Sequence, residues 1–381
     1  MKHLVDPQAT SIGGLPVAML RDNCPCADCR DPVSGQRLVA ITDLAPQLSV
    51  TATAEEAGGL RITFGPDGHQ AVFSGEWLAS LTAPTVPGRS EGTRQLWRAA
   101  DFPAGPPSVS WAGFEASGAT RLTSLRQLLA TGFMLLRGVP PRAGAVLTVA
   151  GSFGYVRETN YGRLFDVRVE PTPANLAFTG LPIGPHTDNP YRDPAPTVQL
   201  LHCLVNAAGG GESGLLDGYM AAATLRAEDP AAFDCLTSTP VTFRYADAGA
   251  ELSATRPMIG LTATGLISEI RYNSRSLQPP APGSEASAAT QLTEFYRAYA
   301  AFATILLRPE LTLRFSLEPG DCIVFDNTRL MHSRTGFSAT GQRHLQGCYA
   351  DLDGVESTVA VLARRADHAA RPHSGHLAAR G

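Results

Sequence analysis

Pro185-His186-Thr187-Asp188-Asn189-Pro190-Tyr191 is the stretch on which the reading of this chain turns. In extended backbone, residues i and i+2 project to the same side. One short strand or open turn can therefore aim the His186 imidazole and the Asp188 carboxylate at a single point. A second imidazole from elsewhere would complete a two-histidine, one-carboxylate facial set, which holds an octahedral divalent metal and leaves neighbouring positions open. A His-x-Asp tripeptide alone is equally well a solvated turn, so the case depends on what accompanies it.

The second imidazole is supplied by Phe325-Asp326-Asn327-Thr328-Arg329-Leu330-Met331-His332-Ser333-Arg334. Gly320 to Phe325 reads as a strand that starts at a turn, and the polar segment after it presents His332. Arg343 then opens another strand, whose start is expected beside the end of the previous one. A guanidinium in that place can form a bidentate pair with the far carboxylate of a dicarboxylic co-substrate. Taken alone, Arg343 would be read as an ordinary surface arginine.

His-x-Asp, Phe-Asp-Asn-x-Arg-x-x-His and the run Gly341-Gln342-Arg343-His344-Leu345-Gln346-Gly347-Cys348-Tyr349-Ala350-Asp351 together resemble the γ-butyrobetaine hydroxylase and trimethyllysine hydroxylase branch of the TauD-like Fe(II)/2-oxoglutarate dioxygenases. Related trimethylaminoethylphosphonate hydroxylases belong to the same group. The resemblance covers nearly the whole chain, from Met19 to Val361. It implies a mainly β protein with flanking helices: a distorted double-stranded β-helix (jelly-roll) catalytic domain and a small N-terminal zinc-binding, β-rich domain. By that match His186, Asp188 and His332 are iron ligands and Arg343 anchors 2-oxoglutarate. O₂ is the oxidant, ascorbate an auxiliary reductant, and the assembly a homodimer.

A second metal site is expected near the N-terminus. Leu20-Arg21-Asp22-Asn23-Cys24-Pro25-Cys26-Ala27-Asp28-Cys29 offers three thiolates in one loop. Three soft thiolates and one imidazole make a closed tetrahedral Zn(II) site with a structural role. His69, after the Gly65-Pro66-Asp67-Gly68 turn, is the natural fourth ligand, and the resemblance supports it by placing a His shortly before a helix carrying the Trp77-Leu78 pair. Three unmetallated thiols are the plainer alternative; an iron–sulfur cluster lacks its fourth nearby Cys.

The resemblance also suggests a substrate pocket. Tyr161, Phe165, Phe178 and Tyr349 match positions of an aromatic cage, which holds a quaternary ammonium by cation–π attraction. Without the match these aromatics would read as core. Asn175 matches a polar residue lining the co-substrate and substrate pocket. Asn189 and Tyr191 can hydrogen-bond an anionic headgroup. Arg275 departs from the pattern of carnitine-forming relatives, which use asparagine in that segment; a guanidinium suits a carboxylate and also a phosphonate dianion. An internal salt bridge is the other reading of Arg275. The expected activity is hydroxylation of a small trimethylammonium zwitterion, γ-butyrobetaine giving L-carnitine. The alternatives are 2-(trimethylammonio)ethylphosphonate as substrate, a protein-modifying oxygenase acting on trimethyllysine, and a non-catalytic quaternary-ammonium binder.

The rest of the chain fits an enzyme of this kind. Lys plus Arg number 31 and Asp plus Glu 35, a net charge of −4, so no basic surface for nucleic acid or an anionic membrane is expected. No apolar run reaches the roughly 18 residues needed to span a bilayer. The start, Met1-Lys2-His3-Leu4-Val5-Asp6, lacks an apolar secretory segment, and a cytoplasmic protein is expected. Of the seven cysteines, Cys203, Cys235, Cys322 and Cys348 read as small buried hydrophobes. Strands are expected at Leu38–Ile41, Leu48–Thr51 and Leu60–Phe64, and helices at Ser74–Leu81, Leu122–Ala130, Gly218–Glu228 and Ser287–Leu307. The domain plan is a zinc-binding domain over 1–82, a linker over 83–107, the dioxygenase domain over 108–363 and a flexible tail over 364–381.

Overall fold

Around the cysteine loop, apolar side chains alternate along Leu60-Arg61-Ile62-Thr63-Phe64, and this alternation builds the first sheet. In the computed structural model, which describes residues 11–82, 94–169, 179–280, 287–337 and 341–370, Ser49–Glu56, Gly59–Gly65 and Gln70–Ser74 pair antiparallel in that order. Val50, Ile62, Phe64, Ala71 and Phe73 point to one side and are buried with Val17 and Leu20 of the helix Val17–Asp22. Trp77 and Leu78 of the helix Gly75–Thr82 pack against the same cluster. Leu38–Ile41 is not a strand: both residues are exposed, Leu38 N–H is spent on Cys29 O, and Ile41–Asp43 closes a 3₁₀ turn. This unit spans Met1–Gly88, and a second spans Arg89–Gly381.

The second unit is a jelly roll. Its major sheet has the order Ser108–Ser110, Phe133–Arg137, Cys322–Asp326, Val198–Asn206, Arg343–Ala350, Phe165–Arg168. The minor sheet has the order Thr312–Phe315, Ser213–Asp217, Leu330–Arg334, Ile183–His186. The run Phe133-Met134-Leu135-Leu136 is apolar throughout because both faces of its strand are covered. Phe133 and Leu135 enter the core shared with Leu215, Leu313 and Leu330 of the minor sheet. Met134 and Leu136 meet the helices Trp111–Ala116, Gly118–Thr131 and Ala145–Gly151 on the other face. A third apolar cluster joins the helices Gly218–Glu228, Pro230–Ser238 and Ser287–Leu306.

Two expected boundaries move. Part of the stretch read as linker belongs to the second unit: Trp97 is buried in its core and donates its indole N–H to Thr131 O at 2.7 Å. Proline and glycine disguise this segment, which is irregular but packed. At the other end the helix Leu352–Ala370 runs past the expected boundary at 364. Val355, Val359 and Leu362 anchor it, and the Ala- and Arg-rich continuation has the propensity to extend it without further burial. Residues 371–381 lie outside the described part.

Arg329 and Asp217 are the ion pair that closes this unit. Arg329 Nη2 meets Asp217 Oδ2 at 2.8 Å and Nε meets Oδ1 at 3.1 Å, with both side chains withdrawn from solvent. Arg329 also donates to the carbonyls of Ala130 and Gln95, while Asp217 caps the following helix through Tyr219 N–H. Removing one partner strands the other charge in the interior, so Arg329→Met should cost about 3–5 kcal/mol. Chemical denaturation checks this; a loss below about 1 kcal/mol would contradict it.

Candidate active site and metal centres

His186 ends the strand Ile183–His186, and in the minor sheet it is the register partner of His332 on Leu330–Arg334. Two residues far apart in sequence are thereby brought side by side, with ring centroids 4.0 Å apart. Asp188, just beyond the strand end, completes the group: His186 Nε2 is 3.4 Å from Asp188 Oδ1, and His332 Nε2 is 3.9 Å from Oδ2. One ligand atom from each of the three lies within 4.8 Å of the others. His186 Nδ1 sits 3.0 Å from Gly184 O. Donation to that carbonyl leaves the Nε2 lone pair for a metal. Burial, and then His186, push the His332 imidazole down to about 3, so it is neutral and able to act as a ligand. Burial alone would raise the Asp188 carboxyl, but the two imidazoles and the Arg275 guanidinium outweigh it and hold it below the usual range. Two imidazole nitrogens and one carboxylate with no Lys or Arg ion pair among the described residues fit Fe(II) with positions to spare.

A cavity of about 530 Å³ opens over this group. It is lined by His186, Asp188, His332, Arg343, Tyr161, Phe165, Tyr349, Asn189, Tyr191 and Arg275, which are all the sequence-derived site residues of the second unit except Asn175 and Phe178. Those two lie outside the described residues.

Arg343 opens the strand Arg343–Ala350, which pairs with Val198–Asn206 in the major sheet and not with the strand of His332. The expected neighbourhood is thus corrected: the two motifs face each other across the roll, because closing it puts consecutive strands in opposite sheets. Arg343 is buried, its Nε has no hydrogen-bond partner among the described residues, and its contact with Gly211 O is 3.4 Å long. Such an under-satisfied guanidinium is costly unless an anion joins it. Arg334 shares the cavity and donates to Thr179 O and Leu181 O at 2.7 Å each. Burial, and then Arg343, push it down to about 10.

The aromatic positions form one connected wall. Phe165 lies 5.1 Å from Tyr349 and 6.3 Å from Tyr161, centroid to centroid. Tyr161 and Tyr191 share a hydrogen bond between hydroxyls at 3.0 Å. Tyr191 stacks on Tyr245 at 5.1 Å, so its ring joins the wall. Asn189 is buried in the left-handed conformation (φ 54°), and neither side-chain polar atom has a partner among the described residues. Arg275 makes no ion pair among the described residues; its Nε donates to Asn273 Oδ1 at 3.3 Å.

Sequence reasoning missed five contributors. Tyr245 is hidden in a strand-like run without any signal. Gln199, Asn273 and Arg334 line the cavity as well. Gln199 is a polar residue inside the apolar run Val198-Gln199-Leu200-Leu201, and a buried polar residue in such a run is itself informative. Asn327, quoted only as motif, clamps the Asp188 backbone: it accepts from Asp188 N–H at 2.8 Å and donates to Asp188 O at 2.9 Å.

In the first unit, Cys24, Cys26, Cys29 and His69 also place one ligand atom each within 4.8 Å of one another. His69 Nε2 lies 3.2 Å from Cys24 Sγ and 3.6 Å from each of the other two sulfurs. Arg21 donates to Cys29 Sγ at 3.1 Å, a contact that favours a thiolate. Burial pushes the Cys24 thiol up to about 12. Burial also raises Cys26, but hydrogen bonds from Cys24 and Cys29 lower it overall. Three sulfurs around one imidazole nitrogen suit tetrahedral Zn(II).

The family described as "Taurine catabolism dioxygenase TauD, TfdA family" matches residues 95–349, and "Gamma-butyrobetaine hydroxylase-like, N-terminal" matches residues 8–79. A gamma-butyrobetaine dioxygenase of Pseudomonas sp. (strain AK-1) is 34% identical over 350 residues, covering 91% of this chain and 89% of that one. The gamma-butyrobetaine dioxygenase of Homo sapiens is 28% identical, with 93% and 92% covered. A trimethyllysine dioxygenase of Meyerozyma guilliermondii is 27% identical, with 90% and 89% covered. With its facial triad at the mouth of a jelly roll and near full-length similarity to these relatives, the chain belongs to the TauD/TfdA family, in its gamma-butyrobetaine hydroxylase-like branch, and is an Fe(II)- and 2-oxoglutarate-dependent dioxygenase.

Proposed function

We propose that the enzyme hydroxylates a small trimethylammonium zwitterion, γ-butyrobetaine to L-carnitine being the first candidate. The observation that carries this reading is the aromatic wall of Tyr161, Phe165 and Tyr349 beside the triad; the names of the relatives point the same way.

His186, Asp188 and His332 would hold the iron, which supplies O₂ activation coupled to decarboxylation of 2-oxoglutarate. Arg343 receives the far carboxylate of the co-substrate, satisfying its own buried guanidinium. The aromatic wall accepts a cation that offers no hydrogen-bond donor. Asn189 and Arg275 face the acid group at the other end, and the distance between wall and acid contacts selects which C–H stands over the metal. The cavity walls exclude water from the reacting centre. The first unit serves as the zinc-bearing domain. A homodimer and a cytoplasmic location complete the proposal; light scattering tests the first. Among the described residues no helix is long and apolar enough to cross a membrane.

A second reading rests on Arg275. A guanidinium free of any ion pair among the described residues matches the dianion of 2-(trimethylammonio)ethylphosphonate at least as well as a carboxylate. Succinate release and product formation with each acid in turn decide between them; a clear preference for the phosphonate overturns the carnitine reading. Turnover of neither would remove both.

The cage makes its own prediction. Tyr161→Leu keeps bulk but removes a π face, so KM for the ammonium substrate should rise by about 30-fold, the worth of roughly 2 kcal/mol for a desolvated cation–π contact. The tert-butyl isostere, which carries no charge, should gain in relative terms. An unchanged ratio between the two substrates would contradict the cage.

A further inference from the structure

The carboxylate of Asp188 is not symmetric in its surroundings. Oδ1 lies 3.4 Å from His186 Nε2, and Oδ2 lies 3.9 Å from His332 Nε2. Oδ2 accepts two hydrogen bonds, from Gln199 Nε2 at 2.8 Å and from the Tyr349 hydroxyl at 3.0 Å. Gln199 and Tyr349 are register partners on the adjacent antiparallel strands Val198–Asn206 and Arg343–Ala350. Directly opposed residues project to the same face, which is why two donors from distant parts of the chain converge on one oxygen. Both are buried, and Gln199 Oε1 has no partner among the described residues. A flipped amide would turn that oxygen against the carboxylate, so the ionised Asp188 itself selects the donating orientation.

We propose that Gln199 and Tyr349 are positioning residues that pin Asp188 as a one-oxygen ligand. Two donors engage Oδ2, so Oδ1 would be the oxygen left to meet the metal. A carboxylate left free to rotate can chelate with both oxygens, and the second would take a coordination position that the co-substrate or O₂ requires. Tyr349 does this with its hydroxyl while its ring packs 5.1 Å from Phe165 in the aromatic wall. The aromatic role rests on the trimethylammonium reading; the hydroxyl's role does not. Asn327 contributes separately by fixing the Asp188 backbone, which leaves side-chain rotation to the Gln199–Tyr349 pair.

The test is a titration of the iron-free full-length protein, its zinc retained, with Co(II), whose visible absorption reports coordination number, in the wild type, Gln199→Leu and Tyr349→Phe. Loss of an outer partner of a metal ligand costs about 10- to 100-fold in affinity, and each variant should show that loss together with an altered Co(II) spectrum. Tyr349→Phe keeps the ring, so KM for γ-butyrobetaine should change by less than about 3-fold while kcat falls. If Gln199→Leu fails to fold, Tyr349→Phe, which removes a single oxygen, carries the test alone. Co(II) affinity and spectrum unchanged in the variants would overturn the proposal. The titration contains no substrate, so failure of trimethylammonium compounds to turn over would count against the substrate reading and leave this result standing.

Discussion

Asp188→Ala is expected to abolish coupled turnover, with succinate release falling on the order of 10³-fold or more, because two imidazoles without the anion no longer make the facial set that retains iron. His332→Ala should give the same result by a different route. It removes the ligand that the opposite strand contributes and leaves His186 and Asp188 in place. The protein should remain folded in both cases: both histidines lie on adjacent strands of the minor sheet beside the cavity, and the two sheets are held by the apolar cluster between them. Metal analysis of the purified variants, melting temperature and a succinate assay separate loss of iron from loss of fold. A variant that retains stoichiometric iron and more than about a tenth of wild-type turnover would refute the assignment of that residue.

The second large effect belongs to the other metal. Cys26 is the least buried of the three thiols at the His69 site, so Cys26→Ser removes a soft ligand while disturbing packing least. Structural zinc contributes about 10–16 kcal/mol of apparent binding free energy at neutral pH, comparable to or larger than the whole stability of a small domain. The variant should lose its zinc, and the first unit should become sensitive to limited proteolysis, with cleavage confined to the region before Gly88. Chelation of the wild type at a concentration that strips zinc should reproduce the pattern. Full zinc content with unchanged protease resistance would show that the cluster does not depend on Cys26.

Much of both metal sites was legible because their ligands are governed by local rules. His186 and Asp188 lie two residues apart on extended backbone, and Cys24, Cys26 and Cys29 share one loop. Spacing alone therefore puts each set within reach of one ion. The helix Gly218–Glu228 was expected with the bounds it has, and the structure adds Asp217 as its cap. Where context outweighed pattern the reading failed. Leu38–Ile41 has strand composition but no partner strand among the described residues. Trp97 belongs to the core although its surroundings look like a linker. The polar end of the final helix continues because nothing breaks it.

The sequence by itself determined the candidate metal ligands, since these depend on residue type and short spacing, whereas the proposed anchor Arg343 and aromatic cage came from the family resemblance. Only the tertiary structure decided how they cooperate. Register in the minor sheet sets His332 against His186, and register in the major sheet sets Gln199 against Tyr349, aiming both at one oxygen of Asp188. Closure of the roll carries Arg343 to the sheet facing His332 and leaves its guanidinium open to an anion. The physical reason is that strand register and sheet order are cooperative properties of the whole packed core. No window of sequence encodes which of several apolar strands will lie beside which.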